Sequence, residues 1–273
     1  MHVKMPSGAR KPAQPQVMIR FRFLLRELVV RDLKSRYAGS LFGFFWAFLH
    51  PLWQLALFTV VFSYILRIPL VGERTSSFPL FLFAGLLPWL GVQEGISRAT
   101  TAISEGANLV KKLHFPSEIL VLGVVLAAFA HQAVALVLFG VLQAVRGDLV
   151  FANLPWLALG GVLQLGLTFG IGLAAAALQV FFRDVVQLVG VVTPAWFYLT
   201  PIVYAPGWVP EAFSRWVAYN PLATIVQLYR CALLGSDTPS AFATALACAA
   251  TAGALGLGLA IFRRLSPGFS DEL

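Results

Sequence analysis

Two ionisable residues, Glu94 and His131, with Gln132 beside the latter, fall within the long apolar stretches of this 273-residue chain. A charge inside lipid is costly and marks function by default, and a carboxylate with an imidazole could relay protons. Each also has a plainer reading. Glu94 stands four residues before Arg98, the spacing of a helical ion pair, and a histidine among apolar neighbours commonly packs through a hydrogen bond. Two groups make a thin proton path, which disfavours an ion-driven carrier. The chain has no GxxxxGK[ST] to cradle nucleotide phosphates, and no HExxH, CxxC or GxSxG. Its two cysteines, Cys231 and Cys248, lack metal-ligand spacing and read as small apolar fillers. The chain is expected to be no enzyme and to hold no metal or cofactor; any energy for work must come from a partner chain or an ion gradient.

The remaining polar content of the apolar stretches is mostly neutral: Gln54, Gln93, Gln132, Gln143, Gln164, Gln179, Gln187, Thr193 and Thr200. Aromatic residues run through 44–64 and 196–198. Trp46 and Trp53, seven apart, share a helix face; Trp196 and Tyr198 belong to the second cluster. Such rings can form an interfacial belt and packing core. Where they line a cavity, ring faces with amide donors suit sugar rings, which stack on one side and hydrogen-bond through hydroxyls. A lining of that kind grips loosely and suits a polymer that must slide.

The elements that would hold these residues follow from composition. Hydrophobic residues make up 59% and charged residues only 12%. Mean hydropathy is +0.80. So few charges cannot coat soluble domains, and lipid is the expected solvent. The net charge of +8 reads as attraction to anionic head groups, because the basic residues crowd into the first 36 positions; a nucleic-acid partner is not expected. The fold expected is all-α, a polytopic membrane protein with six spans over 41–66, 77–98, 118–145, 155–181, 185–206 and 239–262, each long enough for a ~30 Å hydrocarbon core. Bends are expected at Pro51, Pro194 and Pro201. Gly91-xxx-Gly95 and Gly166-xxx-Gly170 allow close helix approach, within the chain or between copies. Fifteen of the 20 Lys and Arg fall on the side of the N-terminus, nine of them before the first span, so both termini are expected in the cytoplasm.

Residues 1–36 are expected to form a basic tail and an amphipathic helix, with Val17, Phe21, Leu24, Leu25 and Leu28 on one face, lying in the membrane interface ahead of the six-span body at 37–273. Its charged side could anchor to lipid or dock a cytoplasmic partner. Between the second and third spans, 108–116 is a short basic-apolar stretch, a surface helix or a contact to a motor. Residues 209–235, broken at Asn220-Pro221, are too short for a further span and read as a re-entrant or outer-face hairpin, a possible lid.

These residues resemble the ABC-2-type permeases of polysaccharide export. The resemblance rests on Arg31-Asp32-Leu33-Lys34-Ser35-Arg36-Tyr37 with Ser40, Gly43, Trp46 and Pro51. It rests also on Asn108-Leu-Val-Lys-Lys with Phe115-Pro116, on Phe181-Phe182-Arg183-Asp184, and on the run from Trp196 to Tyr204 with Asn220-Pro221. It covers residue 20 to the C-terminus. The resemblance implies a homodimer in the inner membrane, paired with two copies of a cytoplasmic ATP-binding subunit that holds the ATP and magnesium, moving a lipid-linked polysaccharide of O-antigen, capsule or teichoic-acid type. It implies ATPase contacts at Asn108, Lys111, Lys112 and Phe115. Arg31, Arg36 and Arg183 become candidates for holding a lipid pyrophosphate or ordering the cytoplasmic mouth. Trp46, Trp53, Trp196 and Tyr198 would line the channel, and Trp216, Tyr219, Asn220 and Pro221 would form the outer gate. Arg183-Asp184 also reads as a local loop ion pair. A permease for a small lipophile or drug, and an ion-coupled carrier, are the competing readings.

Overall fold

The computed structural model describes residues 14–40, 42–67, 75, 77–112, 116–147 and 153–273, without the side chains of 14–21, 35–37, 44 and 112. All regular structure among them is helical. Helix α1 is Gln14–Tyr37. Helix α2, Trp46–Phe58, continues as a π-helical stretch over Thr59–Ile65. Then come α3 (Phe78–Glu105), α4 (Ala107–Lys112), α5 (Glu118–Arg146), α6 (Leu154–Phe181), α7 (Val185–Leu199), α8 (Glu211–Tyr219), α9 (Pro221–Leu234), α10 (Ala241–Leu265) and the short α11 (Phe269–Glu272).

Among the described residues, five helices are long and apolar enough to cross a membrane: Trp46–Ile65, Phe78–Glu105, Glu118–Arg146, Leu154–Phe181 and Ala241–Glu272. The span expected over 185–206 is shorter than read from hydropathy. α7 stops after 15 residues at Leu199, about 22 Å of helix at 1.5 Å per residue. Pro201 cannot continue the ladder and disfavours helical backbone at Thr200, which is extended (φ −105°, ψ 133°). Pro51 and Pro194, by contrast, sit inside helices that run on past them. α3 overshoots its expected end at 98, reaching Glu105, because Ala99, Ala102 and Ile103 keep its buried face going.

α3 is the central helix, with 78% of its apolar window buried, against 6% for α2. Glycines set its neighbours' approach. A Cβ at Gly95 would lie 2.5 Å from Thr168 of α6, and one at Gly170 would lie 2.5 Å from the Ala254 backbone of α10. Both glycine pairs anticipated for close approach therefore serve packing within the chain. The core divides into two clusters along the bundle. One, around Leu87, Phe139, Leu163 and Leu228, lies where α9 inserts. The other, around Leu28, Ile103, Val121, Leu173 and Phe262, lies where α1 docks. The apolar face of α1 thus rests on protein as well as on any lipid: Leu28 packs against Gly123 of α5, where an added Cβ would lie 3.2 Å away.

The expected hairpin is two helices joined at Asn220. α8 is exposed along its length and α9 is largely buried. Asn220 caps α9 by accepting from Leu222 N at 3.1 Å, Pro221 fills its first turn, and Gly235 closes it with φ +67°.

Candidate functional site

At the end of the bundle where α7 stops, an aromatic groove of ≈ 940 Å³ opens between α7, α8 and the start of α9. Six residues anticipated as channel lining or outer gate meet there: Trp196, Tyr198, Trp216, Tyr219, Asn220 and Pro221. Their grouping follows from local chemistry. The stop at Leu199 sends the chain over the end of α7, and α8 carries its aromatic face back. Asn220 ties the parts together. Its Oδ1 accepts from Trp196 Nε1 at 3.0 Å, and its Nδ2 donates to Thr200 Oγ1 at 2.9 Å. The Tyr204 hydroxyl donates to the Tyr198 carbonyl at 3.0 Å. The groove is walled by rings and lacks charged side chains among its lining residues. Tyr204, Trp208 and Phe213 also line it and were missed from sequence; the dense aromatic spacing from Trp196 to Tyr219 was the available signal.

Trp46 and Trp53 stand elsewhere. They are 43% and 67% exposed on the open face of α2, with Trp46 edge-to-face on Phe42 at 5.8 Å. Within one chain they do not join the groove.

A neutral ladder links α9 to the bundle below. Gln132 and Gln164 exchange bonds: Gln164 Nε2 donates to Gln132 Oε1 at 2.7 Å and Gln132 Nε2 to Gln164 Oε1 at 3.2 Å. The Tyr229 hydroxyl donates to Gln164 Oε1 at 2.6 Å and accepts from Gln132 Nε2 at 3.1 Å. Gln164 Nε2 also reaches the Pro88 carbonyl at 2.9 Å. Buried amides persist in such a place because their donors are met.

Glu94 and His131 are paired, with Nδ1 and Oε2 3.0 Å apart, and Arg98 Nη1 lies 3.9 Å from Glu94 Oε1. Arg98 also pairs with Asp32 of α1. The four side chains thus form a cluster joining α1, α3 and α5. Beside it, a cavity of ≈ 370 Å³ is bounded by His50, Gln93, Ser97 and Gln132.

At the α1 end, a cleft of ≈ 440 Å³ gathers Arg31, Asp32, Arg98, Glu105 and Asn108. Arg31 and Asn108, far apart in sequence, are therefore neighbours. Lys111 is exposed on α4, and Arg183 is exposed between α6 and α7, as is Asp184. The side chains of Arg36 and Lys112, and Phe115 altogether, lie outside the described residues. Arg230 differs most from expectation. It lies in the 209–235 stretch expected on the outer face, yet it is fully buried in α9.

The family model for the ABC-2 type transporter matches residues 24–234, from α1 to the end of α9. The chain belongs to the ABC-2 type transporter family. Among relatives of this ABC-2 protein is the O-antigen export system permease protein RfbA of Myxococcus xanthus, 29% identical over 226 residues, 82% of this chain and 85% of the relative. An RfbA of the same description from Klebsiella pneumoniae is 29% identical over 254 residues, 92% and 95% of the two chains. The polysialic acid transport protein KpsM of Escherichia coli is 23% identical over 240 residues, 86% and 91%. The ABC-2 chain is thus an integral membrane transport protein, and it matches these export and transport relatives along most of their length.

Proposed function

We propose that the protein is the permease subunit of an exporter that carries a lipid-linked polysaccharide across the cytoplasmic membrane. Two copies pair with two copies of a separate ATP-binding subunit, which holds the ATP and magnesium. The observation that carries this reading is the ≈ 940 Å³ groove, uncharged and walled by Trp196, Tyr198, Trp216 and Tyr219. Ring faces stack on sugars without gripping them through charge, which leaves the chain free to slide. The names of the RfbA and KpsM relatives support a polysaccharide cargo over a small lipophile.

In this reading both termini are cytoplasmic, α7 with its bend serves as a sixth, short span, and α8 and α9 form the outer gate. The cleft with Arg31 and Asn108 faces the ATPase, with Lys111, Lys112 and Phe115 in its contact. Arg31, Arg36 and Arg183 meet the lipid pyrophosphate, which suits their forked donors. Trp46 and Trp53, open on α2, complete the lining against the second copy. The paired state of Glu94, His131 and Arg98 supports a holding role for these side chains over an ion-coupled carrier.

Charge reversal of the contact, Lys111→Glu with Lys112→Glu, is expected to abolish export, with the protein inserting at its normal level and no longer co-purifying with the ATP-binding subunit. Export at the wild-type rate by that variant would contradict the assignment.

A further inference from the structure

Among the described residues, Arg230 is the one charged side chain with no solvent exposure at all, 0%. A buried guanidinium is costly unless hydrogen bonds and close polar contacts offset its lost hydration. Nη1 donates to the Pro201 carbonyl and Nη2 to the Ile202 carbonyl, each at 2.8 Å. The carbon between them lies 3.6 Å from the centre of the Phe81 ring, a cation–π contact. One turn along α3, Gly85 leaves the room: a Cβ there would lie 2.9 Å from Nη2. The socket is therefore assembled from α3, the bend after α7, and α9 itself.

The bend makes this arrangement possible. Because α7 ends before Pro201, the Pro201 and Ile202 carbonyls are available to a side-chain donor. Arginine matches two successive carbonyls with one planar fork and lays its face on a ring; lysine does neither. Asn220 grips the same bend one step earlier, through Thr200 Oγ1. α9 thus holds the bend at two points, and the bend carries Leu199 and Tyr204 into the groove wall. A hairpin that swings away from both α3 and the bend must withdraw the guanidinium from Phe81 and break both carbonyl bonds together.

We propose that Arg230 is the latch that holds the hairpin closed, a positioning residue that acts through the 200–204 bend and does not touch the cargo. The proposal rests on the transport reading above, in which the groove is the outer mouth. It is tested on the permease reconstituted with its ATP-binding subunit in liposomes loaded with radiolabelled sucrose, without ATP. Arg230→Met is expected to release sucrose faster than wild type, by about tenfold or more if the two charge-assisted bonds hold the closed state. Arg230→Lys and Phe81→Leu are expected to fall between. A merely structural role lowers the amount of inserted protein without producing an ATP-independent leak at equal insertion. Release from inserted Arg230→Met at the wild-type rate overturns the latch. Should Arg230→Met not insert, wild-type release from both Arg230→Lys and Phe81→Leu overturns it equally. Sucrose needs no glycan, so failure of the latch is distinguishable from failure of the polysaccharide reading, which shows only in what the cell exports.

Discussion

Gly258→Ala is expected to remove most of the folded protein from the membrane. A Cβ at Gly258 would lie 2.1 Å from the Gly170 carbonyl oxygen, a backbone atom on a helix packed on its other sides. At the same crossing, a Cβ at Gly170 would lie 2.5 Å from the Ala254 carbonyl carbon, so neither helix has room to yield. Helix association in lipid relies on close van der Waals approach, because lipid tails solvate apolar side chains as well as another helix does. Parting α6 and α10 is expected to cost about 2–4 kcal/mol, at or above the usual range for overpacking. Gly256→Ala is the matched control, since a Cβ there meets nothing within 4 Å; its effect is expected within about 0.5 kcal/mol. Membrane level and thermal unfolding in detergent, compared between the two, check the prediction. Equal behaviour would show that the crossing is loose.

The second large effect is expected at Trp196. Its ring lines the groove and its Nε1 donates to Asn220 Oδ1 at 3.0 Å. Trp196→Ala removes the stacking surface and one bond that fixes the hairpin to α7. The combined loss should lower export by about tenfold or more, since ~1.4 kcal/mol corresponds to tenfold. Trp196→Phe keeps a ring but not the donor and should fall between. Asn220→Ala loses the indole bond, the Thr200 bond and the cap of α9, so it should lower both export and stability, the cap alone by about 1 kcal/mol. The measurement is exported glycan per unit of membrane-inserted permease. Unchanged export by Trp196→Ala would return the ring to packing.

Much of the fold was legible because hydropathy and punctuation reinforce each other. α5 and α6 lie within a residue of their expected bounds, and Asn153-Leu154-Pro155 starts α6 as its turn chemistry suggests. Runs without charges say less about where a helix ends. α3 continues through Glu94 and Arg98 because these charges find partners on α1 and α5, which a one-dimensional pattern does not display. α7 ends early because proline chemistry outweighs a hydropathic run that continues to Tyr204.

Of the site, the aromatic positions were legible and their partners were not. Trp196 and Trp216 lie twenty residues apart in sequence, yet only the bend and α8 bring both to one groove. Trp46 and Trp53 share a face as expected, but within one chain that face is open. Arg230 was hidden most thoroughly. Its socket includes two backbone carbonyls and a ring, partners that a one-dimensional pattern does not display.

A permease that carries a sugar polymer out of the cell leaves that polymer inside when it is missing. The most direct measurement is the location of surface polysaccharide in cells that lack the chain. Polymer is expected to accumulate on the cytoplasmic side, attached to its lipid, and to return to the surface when the wild-type permease is restored together with its ATP-binding subunit. Polymer reaching the surface at normal levels in the absence of the chain would contradict the account.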